Sequence, residues 1–400
     1  MSIQELHSLL LIFLIAVLSP MISEILPVIR LPIVVLEITL GLIIGPQVLG
    51  WAEPGPTIAI LSNFGLAFLF FVAGFEINFQ AIRGRPLMLA AVGWMMSFGI
   101  CLLVGYSLQW SAMVGSGLIV GAALTTTALG TIMPILRDAR ELPTRFGAYT
   151  VASGAMGEFG PIILIALVLS GGEGEHGGSI WLMLVFVVII LVAVYVAINY
   201  RPPRLIVLMQ EKMHTSAQLP MRIAILVLGS LVMLARDMGL DSILGALAAG
   251  IVVSLASPGE YGKELMHKIE GMAFGFFVPI FFVTTGLRYD LHALLNSNKA
   301  LMNKALMQLP LFVILFLLVR GLPAFIIRKD LDLTSRFALA LFSATQLPLV
   351  VAIAEIGVKS GNLPNDTAAS LVGAGMMSVL LFPMIALALR RRQLQRQKTT

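Results

Sequence analysis

The run SGAMGEFGPIILIA places Glu158 among Ser153, Gly154, Ala155, Gly157 and Gly160, in the middle of a long apolar stretch. An ionisable group at membrane depth is costly and marks function by default. Small neighbours let other helices approach closely, and Pro161 removes a backbone donor and loosens the helix locally. A carboxylate in that setting can hold a proton or a metal cation such as Na⁺ or K⁺. The plainer alternative is a structural glutamate paired with Arg320 or a backbone amide. Arg320 is the one deep cation, and its guanidinium stays charged at any relevant pH. The sequence therefore predicts an acid partner for it as counter-ion, Glu158 first and Glu37 second.

Two further stretches carry polar breaks. GAALTTTALGTIMPIL sets Thr125, Thr126 and Thr127 ahead of Gly130 and Pro134, and FSATQLPLVVAI sets Ser343, Thr345 and Gln346 ahead of Pro348. Each alone fits an ordinary kink with threonine bonded back to its own helix. As a pair in matching places they point to a midplane site, where freed carbonyls and hydroxyls coordinate a small ion. Glu37, in VVLEITLGLIIGPQVLG, reads mainly as a helix-contact acid beside Gly41 and Gly45 and is kept as a secondary candidate. Glu76 and Glu355 read as interfacial.

Enzyme chemistry lacks its parts. His7, His176, His214, His267 and His292 all fall at chain ends or in connectors, no HExxH occurs, and no phosphate-cradling loop is present. Cys101 is the lone cysteine, so neither an intrachain disulfide nor a cysteine metal site is expected. No cofactor is implied.

The elements that must position these groups follow from composition. Of 400 residues, 58% are strongly apolar and 12% charged, where soluble chains carry about 25% charged residues. That excludes a soluble enzyme, a disordered chain and a nucleic-acid module. A membrane span needs about 20 mainly apolar residues, and thirteen intervals qualify: 6–23, 31–49, 57–76, 86–107, 112–136, 145–170, 179–199, 220–236, 241–257, 271–288, 304–327, 335–356 and 366–389. Connectors 200–219 and 258–270 carry mixed charge and read as surface or amphipathic segments. Only Glu5 and His7 precede the first apolar run, so no cleaved leader is expected and that run should remain as a span. Alternate connectors and the tail hold twenty of the 26 Lys and Arg, and the opposite connectors five. By the positive-inside rule the N-terminus lies outside and the C-terminus in the cytoplasm.

An internal repeat is also visible. LFFVAGFEINFQAI (69–82) aligns with FFVTTGLRYDLHAL (281–294), matching Phe70 with Phe282, Gly74 with Gly286, Asn78 with Asp290 and Ala81 with Ala293. Seven spans apart means opposite orientation in the bilayer. The expected fold is an all-α polytopic membrane protein of about thirteen helices. Residues 1–170 form one repeat, 171–219 a linker helix and loop, 220–390 an inverted copy, and 391–400 a basic cytoplasmic tail.

With these motifs in hand, the chain resembles monovalent cation:proton antiporters. The likeness rests on LEITLGLIIGPQVLG, FGLAFLFFVAGFEIN, GAALTTTALGTIMPILRD and FFVPIFFVTTGLRYDL, and it is nearest the second cation–proton antiporter family, with its Kef-type and NapA-type members. The resemblance implies a dimerisation domain, a mobile core with two crossed broken helices, and elevator-like exchange of Na⁺ or K⁺ for H⁺ by a homodimer. A compact chain with no targeting segment suits a bacterial inner membrane. The resemblance sets Glu158 where the family has an ion-binding Asp, and Arg320 where it often has Lys. The crossed breaks then fall on Thr125–Thr127 and on Thr345–Gln346. Gly157 stands where the family usually has Asn, Asp or Gln, and Gln346-Leu347-Pro348 replaces a Gly-Glu-Phe run. One titratable acid beside an arginine that keeps its proton predicts electroneutral one-for-one exchange. The competing readings are a sodium-coupled organic-anion transporter of the same fold and a non-transporting membrane sensor or scaffold.

Overall fold

The computed structural model describes residues 2–25, 32–76, 84–170, 180–199, 217–238, 242–289 and 299–399, with Thr215, Leu240 and Leu291 singly between them. The described residues form helices and no strand. In chain order these are α1 Ile3–Ile25, α2 Ile33–Ile44, α3 Pro56–Glu76, α4 Arg85–Trp110, α5 Gly117–Leu124, α6 Leu129–Asp138, α7 Arg145–Ser170 and α8 Ile180–Asn199. There follow α9 Leu219–Asp237, α10 Ser242–Ala256, α11 Gly259–Met272, α12 Val278–Arg288, α13 Lys299–Phe316, α14 Leu333–Ser343, α15 Pro348–Lys359 and α16 Asn365–Thr399. A π-helical turn, Ala273–Phe277, joins α11 to α12, and a second, Leu317–Gly321, carries α13 into a 3₁₀ stretch Leu322–Ile327.

Every interval expected from the sequence holds helix. Among the described residues, eight helical segments are long and apolar enough to cross a membrane by length and composition, and four shorter apolar helices accompany them. Residues 258–270 are mostly helix α11, amphipathic as expected, with Gly262, Leu265, Met266 and Ile269 buried along one side. The other mixed-charge connector lies largely outside the described residues, as do Asn78, Ala81, Asp290 and Ala293 of the repeat alignment.

The chain divides into two compact units. The first comprises Met1–Ile22, Glu37–Ile77 and Ala166–Arg288. Part of its core is Ile12, Ile15, Ile44, Ile58, Ile280, Val283 and Leu287. Glycines set its helix spacing. A Cβ on Gly74 of α3 would lie 2.2 Å from the Leu247 carbonyl oxygen of α10, and one on Gly250 would lie 2.1 Å from that of Phe71. The same mutual contact recurs between α12 and α2: Gly286 against Ile38 O at 2.1 Å, and Gly41 against Val283 O at 2.3 Å. The step along the chain from Gly74 to Gly286 equals that from Phe71 to Val283, and the step from Ile38 to Leu247 equals that from Gly41 to Gly250. Backbones this close leave no room for a side chain, which is the use of small residues between apolar helices.

The second unit comprises Ser23–Leu36, Asn78–Ile165 and Tyr289–Thr400. Its cluster of Ile132, Leu136, Phe146, Tyr149, Leu339, Phe342 and Ala386 draws on α6, α7, α14 and α16. Gly105 and Gly117 repeat the close-approach device between α4 and α5, each virtual Cβ falling 2.2 to 2.3 Å from the other's carbonyl oxygen. Two apolar segments of this unit are interrupted halfway, at residues 125–128 between α5 and α6 and at 344–347 between α14 and α15. The second interruption has a clear local cause: Pro348 has no N–H and opens α15, and it drives Leu347 out of the helical region. The first contains no proline; three consecutive threonines offer hydroxyls that compete for backbone carbonyls.

Candidate ion-binding site

The two interruptions meet. Ala128 N–H donates to the Thr345 carbonyl at 2.8 Å. The Thr126 hydroxyl lies 3.0 Å from Gln346 Oε1, and Gln346 Nε2 donates to the Leu124 carbonyl at 3.1 Å. The Thr127 hydroxyl donates to the Ser343 carbonyl at 2.6 Å. On the far side, Ser378 of α16 accepts the Gln346 backbone N–H at 2.9 Å. Thr125, Thr126, Thr127, Thr345 and Gln346 are all at most 1% exposed. Broken helices strand carbonyls at one end and N–H groups at the other. Here side chains satisfy many of them.

The polarity of the half-helices divides the crossing electrically. α5 and α14 present carbonyl ends, which carry partial negative charge, and α6 and α15 present amino ends of partial positive charge. Glu158, partly buried in α7, accepts the backbone N–H of Leu129, the first residue of α6, at 3.0 Å. The carboxylate thus sits on a positive helix end, where an anion is stabilised. Arg320 takes the opposite place. It is 2% exposed and lies in the π-helical turn Leu317–Gly321. Its Nε and Nη2 both donate to Thr127 Oγ1, at 3.0 and 2.9 Å. Nη2 also donates to the Ser153 carbonyl at 2.9 Å, and Nη1 to Ser97 Oγ at 3.3 Å.

Arg320 therefore departs from the sequence expectation. Its partners are hydroxyl and carbonyl oxygens, next to the carbonyl end of α14, and no carboxylate is among them in the described residues. Helix-end dipoles and hydroxyls fill the role given to an acid. Glu37 is buried in the first unit, 4% exposed, and makes no hydrogen bond among the described residues.

The threonines also separate. Thr125 bonds back to the Ala122 carbonyl and Thr345 to the Leu341 carbonyl, at 2.8 and 3.0 Å, the ordinary-kink behaviour. Thr126 shares its hydroxyl between Ala123 O and Gln346 Oε1. The Thr127 hydroxyl is fully used by one donated and two accepted bonds. Ser97, Ser378 and Trp94 were not singled out by sequence, since single serines and tryptophans in apolar helices carry no distinguishing signal. Trp94 lies against Gly160, whose virtual Cβ would be 2.1 Å from ring atom Cε2.

Buried polar groups gathered where two broken helices meet form a setting in which a small ion can be coordinated within a membrane. The chain belongs to the transmembrane sodium/hydrogen exchanger family, which it matches over residues 12–388. It is 26% identical to the putative Na⁺/H⁺ antiporter YjbQ of Bacillus subtilis, an alignment covering 97% of this chain and 64% of that relative's length. It is 24% identical to the Na⁺/H⁺–K⁺ antiporter GerN of Bacillus cereus, with 88% of each chain covered. Among solved structures, the sodium proton antiporter MjNhaP1 of Methanocaldococcus jannaschii shares the fold, with a TM-score of 0.64 at 18% identity over 97% of this chain and 99% of that one.

Proposed function

We propose that the chain exchanges a monovalent cation, Na⁺ or K⁺, for H⁺ across the cell membrane by alternating access, with Glu158 as the group that carries either ion. The observation that carries this reading is the Glu158 carboxylate on the amino end of α6 at the crossing. A cation arriving there meets a carboxylate, and a departing cation leaves a carboxylate that a proton can neutralise. Thr126 and Gln346, which already face each other, supply neutral oxygens. Arg320 keeps its charge throughout, so one titratable group exchanges one charge for one charge, and transport is electroneutral.

The architecture we infer is thirteen spans, N-terminus outside and C-terminus cytoplasmic, in two inverted repeats joined by α8. The recurrence of one glycine contact at α3–α10 and at α12–α2, with equivalent partners, supports the repeat. The first unit is assigned to dimerisation and the second to ion movement.

The test is proton movement in proteoliposomes holding a pH dye, with Na⁺, K⁺ and Li⁺ added in turn, wild type beside Glu158→Gln. Collapse of the gradient in wild type alone supports the exchange and its carboxylate, and the order of ions names the substrate. Equal movement in both proteins removes Glu158 from the role. Silence to every cation favours the scaffold or the organic-anion transporter.

A further inference from the structure

The glycines of α7 at positions 154, 157 and 160 each receive a bulky group from another element. Gly154 takes the Leu129 side chain, with a virtual Cβ 2.7 Å from Cδ1, and Gly160 takes Trp94. Gly157 takes the centre of the crossing. A Cβ there would lie 2.4 Å from Thr127 Oγ1 and 2.7 Å from Arg320 Nη2. The Gly157 carbonyl accepts the Thr127 N–H at 3.0 Å, so the first break is docked on this residue by both backbone and empty volume. Glu158 follows in the chain.

The guanidinium and the Thr127 hydroxyl thus share a slot that exists because residue 157 has no side chain. Any carbon there pushes into Nη2 and into the oxygen that accepts two of the arginine's bonds. A buried guanidinium that loses hydroxyl acceptors must find another, because an unpaired buried charge is strongly destabilising. The acid of the crossing is Glu158, which follows Gly157 in the chain.

We propose that Gly157 is a positioning residue for exchange: its empty side-chain volume seats the Arg320 guanidinium on Thr127, Ser153 and Ser97 and so directs the fixed cation to these oxygens instead of the carboxylate of Glu158. Whether the carboxylate meets a competing internal cation is then set one residue away from it. The proposal rests on Glu158 as the ion carrier for its transport readout, and on packing alone for its stability readout.

The experiment is a double-mutant cycle of Gly157→Ala with Arg320→Lys, which shortens the cation and removes the fork. In proteoliposomes, Gly157→Ala raises the apparent KM for the cation about tenfold with a smaller fall in kcat, the mark of lost ground-state binding. In the Arg320→Lys background the same change raises KM only about twofold, since coupled residues act non-additively. Thr127→Val removes the guanidinium's main acceptor without adding volume at position 157, and its KM increase must likewise shrink in the Arg320→Lys background. Equal KM effects in the two backgrounds, for either substitution, overturn the proposal and leave Gly157 as packing and Thr127 as a direct ligand. If wild type moves no protons with any cation, the Glu158 reading fails, and thermal unfolding in detergent still decides the seat. The stability loss of Gly157→Ala must be smaller in the Arg320→Lys background than in the wild-type one, and an unchanged loss counts against it.

Discussion

Leu129 N–H and Glu158 Oε1 are 3.0 Å apart, and this contact ties the carboxylate to the start of a half-helix rather than to Arg320. The arrangement separates the crossing's two charges by helix polarity: the acid on an amino end, the guanidinium by a carbonyl end. Shortening the acid should expose this dependence. Glu158→Asp keeps the charge but withdraws it by one methylene from Leu129. We expect exchange to persist at a rate reduced about tenfold or more, with Glu158→Gln inactive. A Glu158→Asp protein as fast as wild type would show that the Leu129 contact does not set the carboxylate's working position.

Gln346 joins the two breaks through its side chain, and Thr345 beside it does not. Gln346→Leu loses the bonds to Thr126 and to the Leu124 carbonyl; Thr126 keeps its bond to Ala123 O, and the Leu124 carbonyl is left unmatched, at about 1–3 kcal/mol for a stranded group. Thr345→Val and Thr125→Val remove hydroxyls bonded only within their own helices. Thermal unfolding in detergent should fall clearly for Gln346→Leu and little for the two valine variants. Cation KM should follow the same order. Equal effects would return Thr125 and Thr345 to the set of ion ligands.

Much of this was legible in the sequence. Apolar run length fixed where the helices lie, because a membrane admits few other ways to satisfy a backbone. Thr125–Thr127 and Thr345-Gln346-Leu347-Pro348 announced the breaks, since hydroxyls and proline disrupt helices by local chemistry. Which threonine crosses and which bonds back was not legible, because Thr125 and Thr126 differ only in the direction their side chains face. The partners of Arg320 were also hidden. Charge arithmetic asks for an acid, whereas helix ends and serine hydroxyls leave no trace in a charge count. Gly157 read as one of several small residues that let helices approach closely, and its use as a slot depends on a contact from a residue 163 positions further along.

Glu141 and Arg390, in the same unit, form a buried ion pair. Arg390 Nε and Nη2 donate to the two carboxylate oxygens at 3.0 and 2.9 Å, with side chains 9% and 4% exposed for Arg390 and Glu141. The guanidinium also lies 4.3 Å from the centroid of Phe146 and bonds Ser335. Removing one member of a buried pair costs about 3–5 kcal/mol. Glu141→Ala and Arg390→Ala should therefore each lower stability strongly. The double variant should be less damaged than the sum, because it leaves no lone charge. Chemical denaturation in detergent measures this; strict additivity would mean that the pair is not coupled.

Asp332 gives the fold an acid-sensitive point at the start of α14. Its carboxylate accepts the Thr334 and Ser335 backbone N–H groups, at 3.1 and 3.3 Å, and bonds from the Ser335 hydroxyl and Gln393. Burial pushes its pKa up, but hydrogen bonds from Ser335 and Gln393 outweigh that and hold it below the ordinary 3.8. A carboxyl whose folded pKa is lowered stabilises the native state above its unfolded value, and that contribution fades as pH falls through the lowered folded value. The window is therefore at and below 3.8. Asp332→Asn removes the titration but keeps a side-chain acceptor for the helix start, so it should cost about 1 kcal/mol or less near neutral pH. The gap between wild type and Asp332→Asn should then close as pH falls through that window. Melting temperatures of both proteins across the acid range decide the matter, and a gap that stays constant with pH would remove Asp332 from the acid response.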